Sequence, residues 1–178
     1  FTAAGVLDGG WSGDGKQTIA VDLGGVGTLQ VGGMAVDRFS RVVLAGRAPT
    51  ASGYRLVVVR LTAAGALDGT FGGGDGMADF AYAATDDIST VVDVVALGPP
   101  SDRIAVLGDY DPAGADPIDS FVFVLTPAGD LDTTFNHTGK RSLAPTSGDP
   151  WNHANALAVQ AGRLVVLGGY HPTTASVN

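Results

Sequence analysis

The sequence predicts an all-β protein made of about three copies of one repeating unit. All 18 acidic residues are aspartates, and the chain also carries 27 glycines and 9 prolines. Glutamate favours helices whereas aspartate and glycine favour turns, so this composition is typical of short strands joined by tight turns. Two separate sequence blocks recur with a period of 60 to 64 residues, and they define the repeat.

The first recurring block is a turn followed by an aspartate and an aromatic residue. It reads Leu7–Trp11, Leu67–Phe71 and Leu131–Phe135. The aspartate is expected to accept backbone N–H bonds as an Asx turn, and the aromatic side chain to wedge into the core. A metal site in every unit is the less favoured alternative, because a feature that recurs in each repeat is normally scaffold.

The second recurring block is an arginine, an apolar run and a glycine. It reads Arg41–Gly46, Arg103–Gly108 and Arg163–Gly168, with spacings of 62 and 60 residues. A continuous apolar run of this length predicts a strand that is buried on both faces.

Each unit is predicted to contain four strands, of which the recurring apolar block is the third. The predicted first strand is near Lys16–Val21; the second strands are Leu29–Val36, Ser89–Ala96 and Ala154–Gln160; the fourth strands are Tyr54–Leu61 and Ser120–Leu125. Residues 88–95 also fit a helical stripe, but their β-branched content favours a strand. The units cover approximately residues 1–60, 61–124 and 125–178 of one repeat domain that spans residues 1–178.

Four short antiparallel strands per unit are typical of a β-propeller blade. A blade cannot bury both of its faces alone, so neighbouring blades are expected to stack. Three blades are fewer than the usual minimum of about four for a closed ring. We therefore expect a partial propeller that is completed by further blades or by another chain.

The pattern Leu-Thr-x-x-Gly-x-Leu-Asp-x-x-Phe, a glycine turn and Arg-Ile-x-Val-x-Gly resembles the delta-60 repeat. The resemblance covers essentially the whole chain, with Trp11 in the phenylalanine position and an insertion at Gly98-Pro99-Pro100 as departures. It implies a propeller-like repeat of bacterial surface and secreted proteins, and hence a secreted or cell-surface location. The family carries no established catalytic residues, so the resemblance transfers no chemistry.

No group of residues predicts an enzyme. The segment around Ser12 departs from a nucleophile elbow because Asp14 occupies the last glycine position and no helix follows. The strand directions place His137 at the opposite end from His153 and His171, which argues against a three-histidine metal site. The chain contains no cysteine, so disulfides and thiolate zinc sites are excluded.

The charge and hydropathy of the chain exclude two classes of partner. A net charge of −8 argues against binding to nucleic acid or to an anionic membrane surface. No apolar run approaches the roughly 20 residues that a membrane-spanning helix needs, so membrane insertion is not expected.

The loops between the first and second and between the third and fourth strands vary from unit to unit, and they share one end. Aromatic and histidine side chains are predicted at this end, namely Tyr110, Trp151, Tyr170, His153 and His171. Aromatic side chains beside carboxylates suit contact with a protein or a carbohydrate. We therefore predict a partner-binding surface at this end of the units.

The same end is rich in aspartates, which favour hard cations such as Ca²⁺. The candidate ligands are Asp109, Asp111, Asp116 and Asp119, with Asp86 and Asp87 nearby. Their spacing departs from that of an EF-hand, so weak Ca²⁺ binding or none is expected. No other cofactor is indicated.

The sequence thus favours a non-catalytic, secreted or cell-surface repeat module that binds a partner or acts as a scaffold through its variable loops. Two alternatives stay open. One is a purely structural or assembly subunit whose blades pair between chains. The other is an accessory domain of a secreted hydrolase whose active site lies outside this chain.

Overall fold

The computed structural model describes residues 1–83, 87–112, 118–143 and 151–171, and its strands form three antiparallel sheets. The ten strands are β1 (Gln30–Val36), β2 (Val42–Thr50), β3 (Gly53–Leu61), β4 (Met77–Phe80), β5 (Asp87–Ala96), β6 (Ile104–Asp111), β7 (Asp119–Leu125), β8 (Lys140–Ser142), β9 (Trp151–Gln160) and β10 (Arg163–His171). The described ranges contain no helix, which confirms the predicted all-β class. Nothing in those ranges qualifies as a membrane-spanning helix.

The strands of each sheet follow one another in chain order. The first sheet is β1-β2-β3-β4, the second is β5-β6-β7-β8, and the third is β9-β10. The recurring apolar blocks form β2, β6 and β10, and in the two larger sheets they lie inside the sheet. Residues 88–95 belong to β5, so the strand interpretation of this segment is confirmed.

The predicted first strand at residues 16–21 is wrong, because the structure assigns no strand there. Its counterparts in the next two units are β4 and β8, which pair with β3 and β7. A strand exists only when another strand supplies its hydrogen bonds. Residues 16–21 have no such partner in the described part of the chain, and each sheet is offset from the sequence units.

The sheets stack face to face, and β6 shows the arrangement most clearly. The side chains of Ile104 and Val106 join a core shared with the first sheet. Those of Ala105 and Leu107 join a core shared with the third sheet. Because alternate residues of a strand point to opposite faces, the second sheet lies between the other two. The predicted burial of the third strand on both faces is thus confirmed for β6.

The third sheet differs, because one of its faces is bare. Val165 and Leu167 of β10 are exposed, although they occupy the positions of Ala105 and Leu107 in β6. The prediction that this block is buried on both faces is therefore wrong for β10. The physical reason is that no described sheet covers this side.

A third core covers the other face of the first sheet. Trp11, Ile19 and Val21 pack there against a cluster that includes Val57 and Val59. Their repeat counterparts are Phe71, Phe80 and Tyr82, which pack against the second sheet in the same way. The three cores are thus versions of one repeated interface.

The recurring glycine of the second block is required by close packing. Gly46, Gly108 and Gly168 each lie opposite a residue beside a β-bulge in the preceding strand. A Cβ on Gly108 would overlap the carbonyl oxygen of Thr90. The bulge therefore leaves no room for a side chain, and this explains why glycine ends every copy of the block.

Candidate functional site

The recurring aspartates form the Asx turns that the sequence predicts. Asp68 Oδ1 accepts bonds from the backbone N–H of Thr70 (3.0 Å) and from its hydroxyl (2.7 Å). Asp132 accepts the same two bonds from Thr134, at 3.0 and 2.6 Å. In the first unit the turn bond runs from Gly10 N–H to Asp8, at 3.0 Å. The aspartates are structural in all three units.

Arginines contact the second carboxylate oxygen, Oδ2, of Asp68 and of Asp132. Arg60 Nε lies 2.7 Å from Asp68 Oδ2 in a buried ion pair, and Arg41 Nη1 lies 3.8 Å from the same oxygen. In the next unit Arg103 Nη1 lies 3.0 Å from Asp132 Oδ2. Arg41 and Arg103 are the first residues of the second recurring block. The Arg41–Asp68 and Arg103–Asp132 contacts therefore connect the two blocks.

The sequence carries a signal for this ion pair that the predictions missed. An arginine begins each copy of the second block, and after Arg41 and Arg103 the next aspartate of the first block follows 27 and 29 residues later. Two opposite charges that recur at a nearly constant separation indicate a pair in space.

These contacts change the acidity of both carboxyls. Burial raises the pKa of Asp68, but the hydrogen bonds from Thr70 and the charge of Arg60 outweigh it and hold the pKa below its usual value. The hydrogen bond from the Thr134 hydroxyl is the main cause that lowers the pKa of Asp132, and Arg103 adds to it. Burial lowers the pKa of Arg60. Asp68 and Asp132 are therefore ionised partners of arginine rather than proton carriers.

The aromatic residue of the first block contacts a turn of the following unit. The position of a Gly65 Cβ lies 2.7 Å from the Trp11 ring, and that of Gly129 lies 2.9 Å from the Phe71 ring. A backbone bond accompanies each contact, from Ser12 N–H to the Ala64 carbonyl (2.8 Å) in the first case. Both glycines have positive φ angles, so a side chain is excluded by conformation as well as by space.

The turn also accounts for Ser12. This residue has a φ angle of 53°, and its hydroxyl donates to the side-chain oxygen of Gln17. Its counterparts are Gly72 and Asn136, which have φ angles of 65° and 49°. Ser12 therefore holds a turn position.

The remaining candidates lie at the opposite end of the sheets, which we call the variable end. It comprises the connections β2–β3, β4–β5, β6–β7 and β8–β9. The ladders place Asp87 opposite Asp111 and Tyr110 opposite Asp119 at this end. The prediction that the variable loops share one end is confirmed for the described residues.

Tyr110 is a core residue at the base of this end. It is only 5% exposed, and its ring stacks on that of Tyr82 with the ring centroids 4.1 Å apart. Its hydroxyl donates to Asp119 Oδ2 over 3.4 Å. Little of the Tyr110 side chain is accessible to a partner.

Asp109 connects the second sheet to the third. Its Oδ1 accepts a bond from the Ser120 hydroxyl (2.7 Å) and one from the Ala154 backbone N–H (3.1 Å). Its Oδ2 lies 3.2 Å from His153 Nδ1. Asp109 is buried, whereas the His153 side chain is 47% exposed. The carboxylate is thus used inside the protein, and about half of the His153 side chain reaches the surface.

The other predicted site residues are placed only in part. Asp111 and Asp119 are half-buried at the ends of β6 and β7. Trp151, Tyr170 and His171 lie at the variable end of β9 and β10, but their side chains fall outside the described residues, as do Asp86 and Asp116. No cluster of three or more metal-binding side chains occurs among the residues that the structure describes.

The chain was compared with protein-family models, with curated proteins and with solved structures, and none of them matches it.

Proposed function

We propose that this chain is a non-catalytic β-propeller-type repeat module, in which stacked blades are a scaffold and the variable end binds a partner. The proposal rests on a difference between the two ends of the sheets. At one end the recurring aspartates, arginines, aromatic residues and turn glycines form the ion pairs and turn contacts of the inner copies of the repeat. At the other end the chemistry differs from unit to unit, and variable loops on a rigid scaffold are where binding residues are commonly found.

The blade interpretation is supported by the repeated interface. The same positions of successive sheets form one core after another, with the recurring ion pair and turn contact at the edge of the sheets. The resemblance to the delta-60 repeat supports a bacterial surface or secreted protein, and the secreted or cell-surface location is proposed on that basis.

We propose a carbohydrate as the partner class. His153, whose ring is about half exposed beside the buried Asp109, is the described side chain that best suits such a contact. A hydrogen-bonded histidine at a surface can donate to or accept from sugar hydroxyls. Trp151 lies two residues before His153 on β9, and Tyr170 on β10 follows Gly169, which pairs with His153; both are included in the proposed surface.

An oligosaccharide array tests the proposal. The unmodified chain should bind a subset of the immobilised sugars, and His153→Ala should weaken that binding. His137→Ala is the matched control because His137 lies at the opposite end of the sheets, and it should leave binding unchanged. Runs with calcium and with a chelator test the weak Ca²⁺ site, for which little difference is expected.

Binding that is insensitive to His153→Ala would place the partner elsewhere on the molecule. Absence of binding to any sugar would favour the purely structural alternative. Release of cleaved sugar would contradict the non-catalytic assignment.

A further inference from the structure

Each of the two outermost sheet faces exposes apolar side chains whose repeat counterparts are buried between sheets. We call the face of each sheet that points towards the preceding sheet its leading face, and the opposite face its trailing face. The repeated interface joins the trailing face of one sheet to the leading face of the next. The leading face of the first sheet and the trailing face of the third have no such neighbour among the described residues.

On the leading face, equivalent positions differ sharply in exposure. Val91 and Val94 of β5 are 5% and 2% exposed, because the first sheet covers them. Their counterparts in β1, identified by the same register against the next strand, are Val31 and Met34. These two side chains are 54% and 65% exposed. An apolar pair that is buried in the second sheet is thus open in the first.

The trailing face shows the same contrast. Ala105 and Leu107 of β6 are fully buried against the third sheet. Their counterparts in β10 are Val165 and Leu167, which are 46% and 65% exposed. Apolar side chains at these positions are expected to associate with a complementary apolar face, since exposed clusters of this kind mark interaction sites.

A third observation concerns the turn contact at the edge of the interface. In the covered copies, Ser12 N–H bonds to Ala64 O, and Gly72 N–H bonds to Ala128 O at 2.9 Å. Asn136 has the same backbone conformation, but its N–H forms no backbone bond within the described residues.

The matching acceptor turn is open at the other end of the chain. Gly5 N–H bonds to Thr2 O, as Gly65 N–H bonds to Thr62 O, but no atom lies within 4 Å of the Gly5 Cβ direction. The donor and acceptor halves of one repeated contact are therefore both unfilled on the same molecule.

From these complementary halves we infer that the partner of both exposed apolar surfaces is a second copy of this chain, docked head to tail. The inference rests on the proposed function, because it extends the proposed stack of blades across two molecules. Val165 and Leu167 of one copy would pack on Val31 and Met34 of the other. Such a contact joins unlike surfaces and is heterologous.

The placement satisfies all three observations at once. Residues 11–29 of the second copy already cover the β2 and β3 part of the leading face and leave the β1 part open. The third sheet of the first copy, which has only β9 and β10, would occupy that open part. The two pieces then belong to one shared blade, and the Thr2–Gly5 turn of the second copy reaches Asn136 of the first. The position equivalent to β3, between β10 of the first copy and residues 16–21 of the second, is not supplied by the described residues of either copy.

Light scattering coupled to size-exclusion chromatography tests the inference on the 178-residue chain. The chain should have a mass of at least two copies of its 17.9 kDa. Val31→Asp on the leading face and Val165→Asp on the trailing face should each reduce the mass to that of one copy. Val26→Asp is the matched control, since Val26 is fully exposed in the loop before β1 and belongs to none of the three cores, and it should preserve the assembly.

A mixture of the two variants makes the test specific for a head-to-tail contact. A Val31→Asp copy keeps its trailing face, and a Val165→Asp copy keeps its leading face. An equimolar mixture should therefore form a one-to-one dimer although each variant alone is a monomer. Circular dichroism spectra that match the unmodified chain would show that the variants are folded.

Two outcomes would overturn the inference. One is a folded chain that stays monomeric as its concentration is raised, which would leave the proposed stacked module intact but remove the second copy. The other is a Val31→Asp variant that still dimerises alone, which would indicate contact between like faces. Failure of the proposed stacked module would instead show as loss of protection in β5 and β6 by hydrogen exchange, and failure of the proposed partner binding as absence of sugar binding by a chain that still assembles.

Discussion

The interface between the first two sheets and the outer face of the third sheet are formed by equivalent positions of one repeat, yet the first is buried and the second is exposed. Val43 and Ala45 of β2 are buried, whereas Val165 and Leu167 of β10 are exposed. The residue types are similar in both places. The difference teaches that the repeat encodes the capacity for burial, and that the neighbouring sheet decides whether burial occurs.

The largest expected effect is a loss of folding stability when the aromatic residue of the first block is truncated. Phe71 is completely buried, and the Arg60 guanidinium lies 4.6 Å from its ring centre. Phe71→Ala should lower the free energy of unfolding by about 3–5 kcal/mol. Phe135→Ala should cost less, by about half, because Phe135 is only partly buried. Urea denaturation of both variants measures the difference, and equal losses would contradict the comparison.

The buried ion pair provides the second test. Asp68→Ala leaves Arg60 buried without its carboxylate, so a loss of about 3–5 kcal/mol in the free energy of unfolding is expected. Asp8→Ala removes only an exposed turn bond and should cost about 0.5–1.5 kcal/mol. The same denaturation experiment applies. A loss at Asp8 as large as that at Asp68 would show that the turn, and not the arginine, dominates.

The third test concerns the glycine beside the bulge. Gly108→Ala should cost about 1–3 kcal/mol, because the new methyl group would overlap the Thr90 carbonyl and the Phe121 ring. Gly169→Ala is the matched control, since no atom lies within 4 Å of the Cβ position there. Its effect should stay within about 0.5 kcal/mol. Thermal melts of the two variants would refute the packing role if they shifted equally.

The smallest effect is a dependence of stability on pH. Arginine and threonine partners hold the pKa of Asp68 and of Asp132 below the unfolded value of about 3.9. The stabilisation is therefore present above about pH 4 and is lost as the pH falls through the folded values. Asp132→Asn should flatten the acid-side slope of unfolding free energy against pH, and Thr134→Ala should flatten it in part. An unchanged slope for Asp132→Asn would contradict the assignment.

Much of the fold could be predicted from periodicity. The second and third strands of the units and the fourth strands at 54–61 and 120–125 follow from apolar runs that recur with the repeat. The Asx turns follow from the chemistry of aspartate in the first block. The segment 16–21 could not be predicted correctly, because a strand depends on a partner that the local sequence does not contain.

The site was less predictable. The sequence predicts Tyr110 and Asp109 in a loop, but the structure buries both, and Asp109 bonds to Ala154 and His153 of the third sheet. The contacts of Asp109 with His153 and Ala154 cross more than 40 residues of sequence, and no local pattern reports such partners. The grouping of Asp87, Asp111 and Asp119 at one end was predictable, because strand directions alternate.

The sequence by itself determined the repeat, its period, most of its strands and the identity of the residues that recur, because local turn chemistry and the alternation of apolar residues depend on neighbouring positions. Only the tertiary structure decided which strands share a sheet, which aspartate receives an arginine and which apolar face is covered. Those outcomes depend on pairing and stacking between segments that are distant in the chain. The outer face of β10 has the same pattern of apolar residues as the equivalent face of β6. It is exposed because no described sheet lies against it.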